Sequence, residues 1–121
     1  MLGYTLITNN GICNYKDGGF PTFCDKSGVS STASCANSCT SDTSCVGFVY
    51  GFQRCFLFPS QRNCPIGFNM ISSDPMNPGQ NLPLATSMND LVATAGPGVC
   101  YGKQLGNIIF NPKSQIFRLI K

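Results

Sequence analysis

The sequence predicts a small, disulfide-rich α+β domain: one short helix stapled onto an antiparallel β-sheet, with a long irregular insertion. Eight cysteines fall within 121 residues, and a core of this size is only marginally stable without cross-links. Cys35 and Cys39 are spaced as on one face of a helix. Residues 45–50 and 55–58 are rich in β-branched and aromatic side chains, as strands are. We treat residues 1–121 as a single module.

The first thirty residues predict a hairpin followed by a loop. Residues 4–7 are strand-like, and Asn9-Asn10-Gly11 contains the Asn-Gly pair that favours a tight turn into a second strand at 12–15. Residues 16–19 then continue as a loop. Residues 21–30 are expected to be irregular around Cys24.

The central segment carries the strongest local signals. Ser31 or Thr32 can cap the helix, because a side-chain oxygen there accepts from a first-turn N–H. The strand at 45–50 turns at 51–53 and returns at 55–58. Pro59 ends the returning strand, since it has no N–H for the ladder. Residues 60–63 form a polar loop, and Cys64 begins the segment that closes the cystine-rich part at 68.

The order of three cysteine motifs points to a family: Cys35-x3-Cys39 in the helix, Cys45-x2-Phe48 with Tyr50, and Cys55-x-Leu57. This order resembles that of PAN/apple modules, over about residues 11–68. The resemblance implies three bridges: Cys35–Cys55, Cys39–Cys45, and Cys13–Cys100 joining the two ends of the module. Cys24 and Cys64 then remain for each other, outside the family pattern. Eight cysteines allow on the order of a hundred pairings, so spacing alone does not choose among them.

Two other uses of the cysteines stay open at this point. They could be reduced thiols buried in the core, or zinc ligands. A zinc site is disfavoured because the sequence has no CxxC pair and no histidine.

Residues 69–98 differ in character from the cystine core at 11–68. Pro75, Pro78 and Pro83 interrupt any regular structure, although 87–95 could make one helical turn. The segment is too apolar for a disordered linker, so we expect an arm that lies on a partner; a flexible insertion is the alternative. The C-terminal part, 99–121, predicts strands, and in 116–120 both alternating sets are apolar. The predicted interface residues are Met76, Leu82, Leu84, Met88, Leu91, Phe117 and Leu119.

Charge is sparse: 11% of residues are charged, against an average of about 25%. No basic run supports nucleic-acid binding, and no apolar run approaches the roughly 20 residues of a membrane span. The opening MLGYTLITNNG has no features of a signal peptide. We therefore expect either a domain excised from a secreted protein, at an extracellular or cell-surface location, or a chain oxidised after synthesis, as during assembly of a large DNA virus particle.

The sequence contains few candidate catalytic residues. There is no histidine for a nucleophile pair and no glutamate, and the five aspartates are scattered. No glycine-rich phosphate loop is present. The sequence predicts no enzyme, no cofactor and no metal site.

Two functions remain. The first is a structural component that packs against other proteins, in a virus particle shell as a minor capsid protein, or in an extracellular surface layer or filament; sparse charge and the apolar arm favour it. The alternative is a receptor-type PAN/apple binding module for glycans or proteins. Its ligands would stack on exposed aromatic side chains, for which the candidates are Tyr15, Phe20, Phe23, Phe52 and Tyr101.

Overall fold

The computed structural model describes residues 2–74, 76–77 and 79–104. Within them lie one helix, α1 (Thr32–Ser41), and eight strands: β1 (Tyr4–Thr8), β2 (Gly11–Tyr15), β3 (Phe23–Ser27), β4 (Cys45–Gly51), β5 (Arg54–Pro59), β6 (Asn69–Ile71), β7 (Leu91–Ala95) and β8 (Val99–Lys103). Six strands form one sheet in the order β1-β8-β4-β5-β3-β6, and β2 pairs with β7 in a separate ribbon. All pairs are antiparallel. The predicted α+β, disulfide-rich class is confirmed.

The large sheet is covered on both faces, which gives three layers. Alternate residues of its strands point to opposite sides, so Phe48 and Leu57 pack with α1 on one face. Val49 and Phe58 pack on the other face with the β2–β7 ribbon. A small domain of this kind therefore divides its core into two apolar clusters, one on each side of the sheet.

The helix begins as its sequence predicts. Ser31 is the N-cap, and its hydroxyl oxygen accepts from the Ser34 N–H at 3.1 Å. At the other end, Lys103 of β8 donates to the carbonyl oxygens of Cys39 and Asp42, at 2.8 and 3.1 Å. A cation at the last carbonyls stabilises a helix C-terminus. Burial lowers the pKa of the Lys103 ammonium from its ordinary value.

Four disulfides join the layers, and they are the four pairs stated above. Cys35–Cys55 and Cys39–Cys45 tie α1 to the central hairpin. Cys13–Cys100 ties the ribbon to the large sheet, and Cys24–Cys64 ties β3 to the loop after β5. No cysteine is left as a free thiol.

Two predictions for the first thirty residues are wrong. The strands β1 and β2 form no hairpin, because β1 pairs with β8 in the large sheet while β2 pairs with β7 in the ribbon. Residues 23–27 are not irregular either. They form β3, which is held on both sides by long-range pairing with β5 and β6.

The segment 69–98 is more regular than predicted. It starts with β6 and ends with β7, and a 3₁₀ turn at Met88–Asp90 provides the single helical turn that the sequence suggested. Apart from that turn, the described residues between β6 and β7 form one isolated bridge, which joins Ser73 and Asn81. The segment belongs to the domain's own sheets at both ends.

Candidate interaction surfaces

The predicted interface residues of 69–98 do not form one outward surface. Leu82 and Leu91 are buried in the domain itself, where Leu91 packs with the cluster under the ribbon. Leu84 and Met88 are half-buried. Met76 alone is largely exposed, at 85%. The prediction that these residues contact a partner is therefore wrong for Leu82 and Leu91, because their side chains pack in the protein's own core. Phe117 and Leu119 lie outside the described residues.

A polar network fastens the irregular part of this segment to the body. The Thr22 N–H donates to the Pro83 carbonyl at 2.7 Å, and the Thr22 hydroxyl donates to the Leu82 carbonyl at 2.9 Å. The guanidinium of Arg62 donates to the same Thr22 hydroxyl oxygen and to the Leu82 carbonyl. Buried hydrogen bonds of this kind are costly to leave unmade, so residues 82–83 are part of the folded core.

A second anchor holds the 3₁₀ turn. Lys16 forms an ion pair with Asp90 at 2.9 Å, and the backbone N–H and hydroxyl of Thr86 donate to the other oxygen of that carboxylate. The Thr86 N–H, followed by the Lys16 side chain, lowers the pKa of Asp90 to about 2. The Asp90 carboxylate is therefore ionised at physiological pH, and its ion pair with Lys16 connects the loop after β2 to the turn before β7.

The tip of the β4–β5 hairpin presents an exposed phenylalanine. Gly51 pairs with Arg54, so the loop between them consists of Phe52 and Gln53 alone. Both have positive φ, 49° and 60°, as a type I′ turn requires, and Asn-Gly is the pair that such turns favour. A bulky side chain in this conformation is a genuine outlier. Phe52 is nonetheless 81% exposed, so its ring contributes little to the core.

A group of phenylalanines lines a small apolar hollow on the ribbon side of the large sheet. The ring centroids of Phe20 and Phe23 are 6.1 Å apart, and those of Phe23 and Phe56 are 4.9 Å apart. The hollow has a volume of about 200 Å³, and Ile12, Val49 and Phe58 complete its walls together with Cys13. Phe20 is 46% exposed at its mouth.

Phe20 also borders a second, more polar hollow of about 330 Å³. Asp74, Gln80 and Asn81 line it, opposite the backbone of Gly18 and Gly19. The loop that carries these side chains is held closed, since the Asp74 N–H donates to the Gln80 carbonyl and the Asp74 carboxylate accepts from the Met76 N–H. An aromatic ring beside carboxylate and amide groups can contact a ligand that has both apolar and hydroxyl-bearing faces.

The five aromatic candidates for ligand stacking differ in exposure. Phe52 and Phe20 are the exposed ones. Tyr15 and Phe23 are half-buried, and Tyr101 is half-buried with its ring stacked on Phe48 at 5.4 Å. Sequence reasoning named all five but had no signal to separate them, because exposure depends on which strands pair.

Metal-ligating and acidic side chains are dispersed in the described ranges. No cluster of three or more metal-ligating side chains occurs among them. Two of the aspartates, Asp25 and Asp90, are engaged in ion pairs with Arg54 and Lys16. None of the helices in the described part of the chain is long and apolar enough to cross a membrane.

Comparison with known proteins found no matching family model, no matching curated protein and no matching solved structure. The four disulfides fit an extracellular protein.

Proposed function

We propose that this protein is a non-enzymatic interaction module of the PAN/apple type that packs into a larger protein assembly, with Phe52 as the side chain that anchors it to a neighbour. The assembly is a virus particle shell, in which the protein is a minor capsid component, or an extracellular surface layer or filament. Sparse charge supports this role, because a free monomer ordinarily keeps a well-charged surface.

The observation that carries the proposal is the position of Phe52. Each non-glycine residue in the left-handed region costs roughly 1 kcal/mol, and an asparagine or glycine would avoid most of that cost. Packing of the ring against its own domain offsets little of this cost, because the side chain is 81% exposed. Strained, exposed residues are found where function requires them, and exposed aromatic side chains that insert into a partner's pocket dominate the energetics of interfaces.

This assignment predicts opposite effects on stability and on assembly. Replacing Phe52→Asn should raise the free energy of unfolding by about 1 kcal/mol and the melting temperature by about 4 °C. The same variant should be lost from the native assembly, because the anchor is gone. Gln53→Gly is the matched control, since it relieves similar strain in the same turn and should be retained. Thermal unfolding and recovery of each variant in the purified assembly are the measurements. Full retention of the Phe52→Asn variant would contradict the proposal.

The hollows on either side of Phe20 favour a second candidate, a receptor-type module for glycans. A sugar ring could stack on the exposed face of Phe20 while its hydroxyl groups reach Asp74, Gln80 and Asn81. Stacking on an aromatic ring contributes roughly 1 kcal/mol.

The glycan candidate predicts a ligand-specific loss in one variant. An oligosaccharide found by screening should bind the Phe20→Ala variant about fivefold more weakly, since about 1.4 kcal/mol corresponds to a factor of ten and the stacking contributes about 1 kcal/mol. Phe52→Ala should leave affinity unchanged, because Phe52 lines neither hollow. Titration calorimetry measures both. Absence of any binding oligosaccharide, or equal affinities for the two variants, would remove this candidate.

A further inference from the structure

One edge of the six-stranded sheet is open to an additional strand. β1 is the end strand in the sheet order, and among the described residues β8 is its only partner strand. Its register with β8 is regular from Tyr4 to Leu6 and shifts between Leu6 and Thr8. We call residues 4–6, on the side away from β8, the β1 edge.

The β1 edge has backbone groups free to pair. The Gln104 N–H donates to the Gly3 carbonyl at 2.9 Å, one step beyond the pair Tyr4–Lys103. Hydrogen-bonded and non-hydrogen-bonded pairs alternate along an antiparallel ladder. The N–H and C=O groups of Tyr4 and Leu6 therefore point away from β8. No described residue forms a hydrogen bond with them.

The β1 edge carries neither charge nor proline, two of the features that usually block edge-to-edge pairing. Natural edge strands carry charges or proline, or are very short. Residues 4–8 read YTLIT, without charge or proline, and Leu6 is 47% exposed. The opposite edge strand, β6, has three residues only and is followed by the Ser73–Asn81 bridge. The irregularity after Leu6 limits the accepting stretch to residues 4–6.

The chain itself contains a segment suited to this edge. Residues 105–121 follow Gln104 directly, and their sequence includes two strand-like runs, NIIF at 107–110 and QIFRLI at 115–120. The charged residues of this segment are Lys113, Arg118 and Lys121, all cationic. No lysine or arginine in β1 would repel them.

Orientation decides which copy supplies the segment. Strand β8 reaches Gln104 at the Gly3 end of β1. A strand of the same chain that turned back along the β1 edge directly after Gln104 would therefore run parallel to β1. A second copy can approach in the antiparallel direction, which is the direction of every described pair in this sheet and the more stable one per residue.

We propose that the β1 edge accepts the C-terminal segment, residues 105–121, of a second copy of this chain as an added antiparallel strand. The occupant gives main-chain hydrogen bonds to Tyr4 and Leu6 and an apolar contact to the Leu6 side chain, as in other cases of strand addition. Reciprocal exchange yields a closed dimer, and one-way exchange yields a chain of copies. This inference rests on the proposed function, because it makes a second copy of the protein one of the neighbours in the assembly.

The test is complementation between two full-length variants. The unaltered chain should show a mass at least twice that of a monomer by sedimentation or light scattering. Leu6→Lys disables the β1 edge, and the double variant Phe117→Lys, Leu119→Lys disables the segment, so each alone should be monomeric. Mixed in equal amounts they should form a heterodimer, since one intact edge and one intact segment remain. Leu2→Lys, at a fully exposed position before β1, should self-associate like the unaltered chain.

A monomeric unaltered chain, or a mixture that stays monomeric while circular dichroism shows both variants folded, overturns the inference; docking of the segment on its own chain would give this result. Misfolding of either variant would be shown by circular dichroism, and Thr5→Lys or Ile116→Lys then replaces it in the same mixture. Phe52→Asn should leave self-association unchanged, so failure of the proposed function and failure of this inference are distinguishable.

Discussion

Deleting residues 69–98 and joining the ends with a short Gly/Ser linker should unfold the whole domain. The deletion removes β7, the partner of β2, and it removes β6 from the edge of the large sheet. It also removes Leu82, Ala85 and Leu91 from the core. Each fully buried aliphatic side chain contributes roughly 1.5–3 kcal/mol, and a small domain has only about 5–15 kcal/mol of stability in total. Circular dichroism and the number of native disulfides are the measurements.

Two point variants separate the buried from the exposed part of this segment. Leu82→Ala should destabilise the protein by about 2–5 kcal/mol, because it leaves a cavity. Met76→Ala, at an exposed position, should change stability by less than about 0.5 kcal/mol. A deletion variant that keeps the native spectrum and all four disulfides would show instead that residues 69–98 are a peripheral arm, as the sequence suggested.

Removing the Cys13–Cys100 bridge should cost more than removing the Cys39–Cys45 bridge. The two half-cystines are 87 residues apart in the first pair and 6 in the second. In the chain-entropy description, the longer loop corresponds to about 4–5 kcal/mol and the shorter to about 2 kcal/mol. The first bridge also holds the ribbon on the large sheet. The comparison uses the double variants Cys13→Ala, Cys100→Ala and Cys39→Ala, Cys45→Ala in urea unfolding.

The matched pair makes the disulfide prediction specific. Both double variants remove two sulfurs from buried positions, so the loss of packing is similar and the difference reports on loop closure. Peptide mass spectrometry under non-reducing conditions should first find all four pairs in the unaltered protein. Equal destabilisation of the two variants, or free thiols in native material, would contradict the account of how the layers are joined.

The elements that could be predicted from sequence are those specified by local contacts. The Ser31 cap and the Cys35, Cys39 spacing lie within a single helix, and the hairpin of β4 and β5 has a two-residue loop. Each of these depends on residues close together in the chain. The predicted positions of the helix and of the two hairpin strands accordingly agree with the structure to within one or two residues.

Long-range pairing was not predictable in the same way. The Asn9-Asn10-Gly11 signal favoured a hairpin, but Gly11 is required for a different reason, because a β-carbon there would collide with the Thr94 backbone across the ribbon. The sequence FCDKS of β3 contains two charged residues and no β-branched one. Its strand conformation comes from β5 and β6 on either side, and neither neighbour is visible in the local sequence.

The apolar content of 69–98 predicts burial, which holds for Leu82 and Leu91, but it does not predict where those side chains are buried. Both are buried inside the domain, and composition alone cannot distinguish a partner's surface from the chain's own core. The sequence does contain a signal for the unusual turn: its two central positions hold Phe52 and Gln53, and neither is a residue that such turns favour there. That mismatch between sequence and turn is the feature that carries the proposed function.

Photo-crosslinking from position 52 shows whether the Phe52 side chain lies against a neighbouring protein. p-Benzoylphenylalanine is placed at Phe52 in the full chain, which is then incorporated into the native assembly and irradiated. Ile66 is the control position, because it is also fully exposed but lies in the loop before β6. The account predicts a crosslink from position 52 to one defined segment of a neighbouring protein, with a much lower yield from position 66. Equal yields from the two positions, or crosslinks from position 52 only within its own chain, would contradict it.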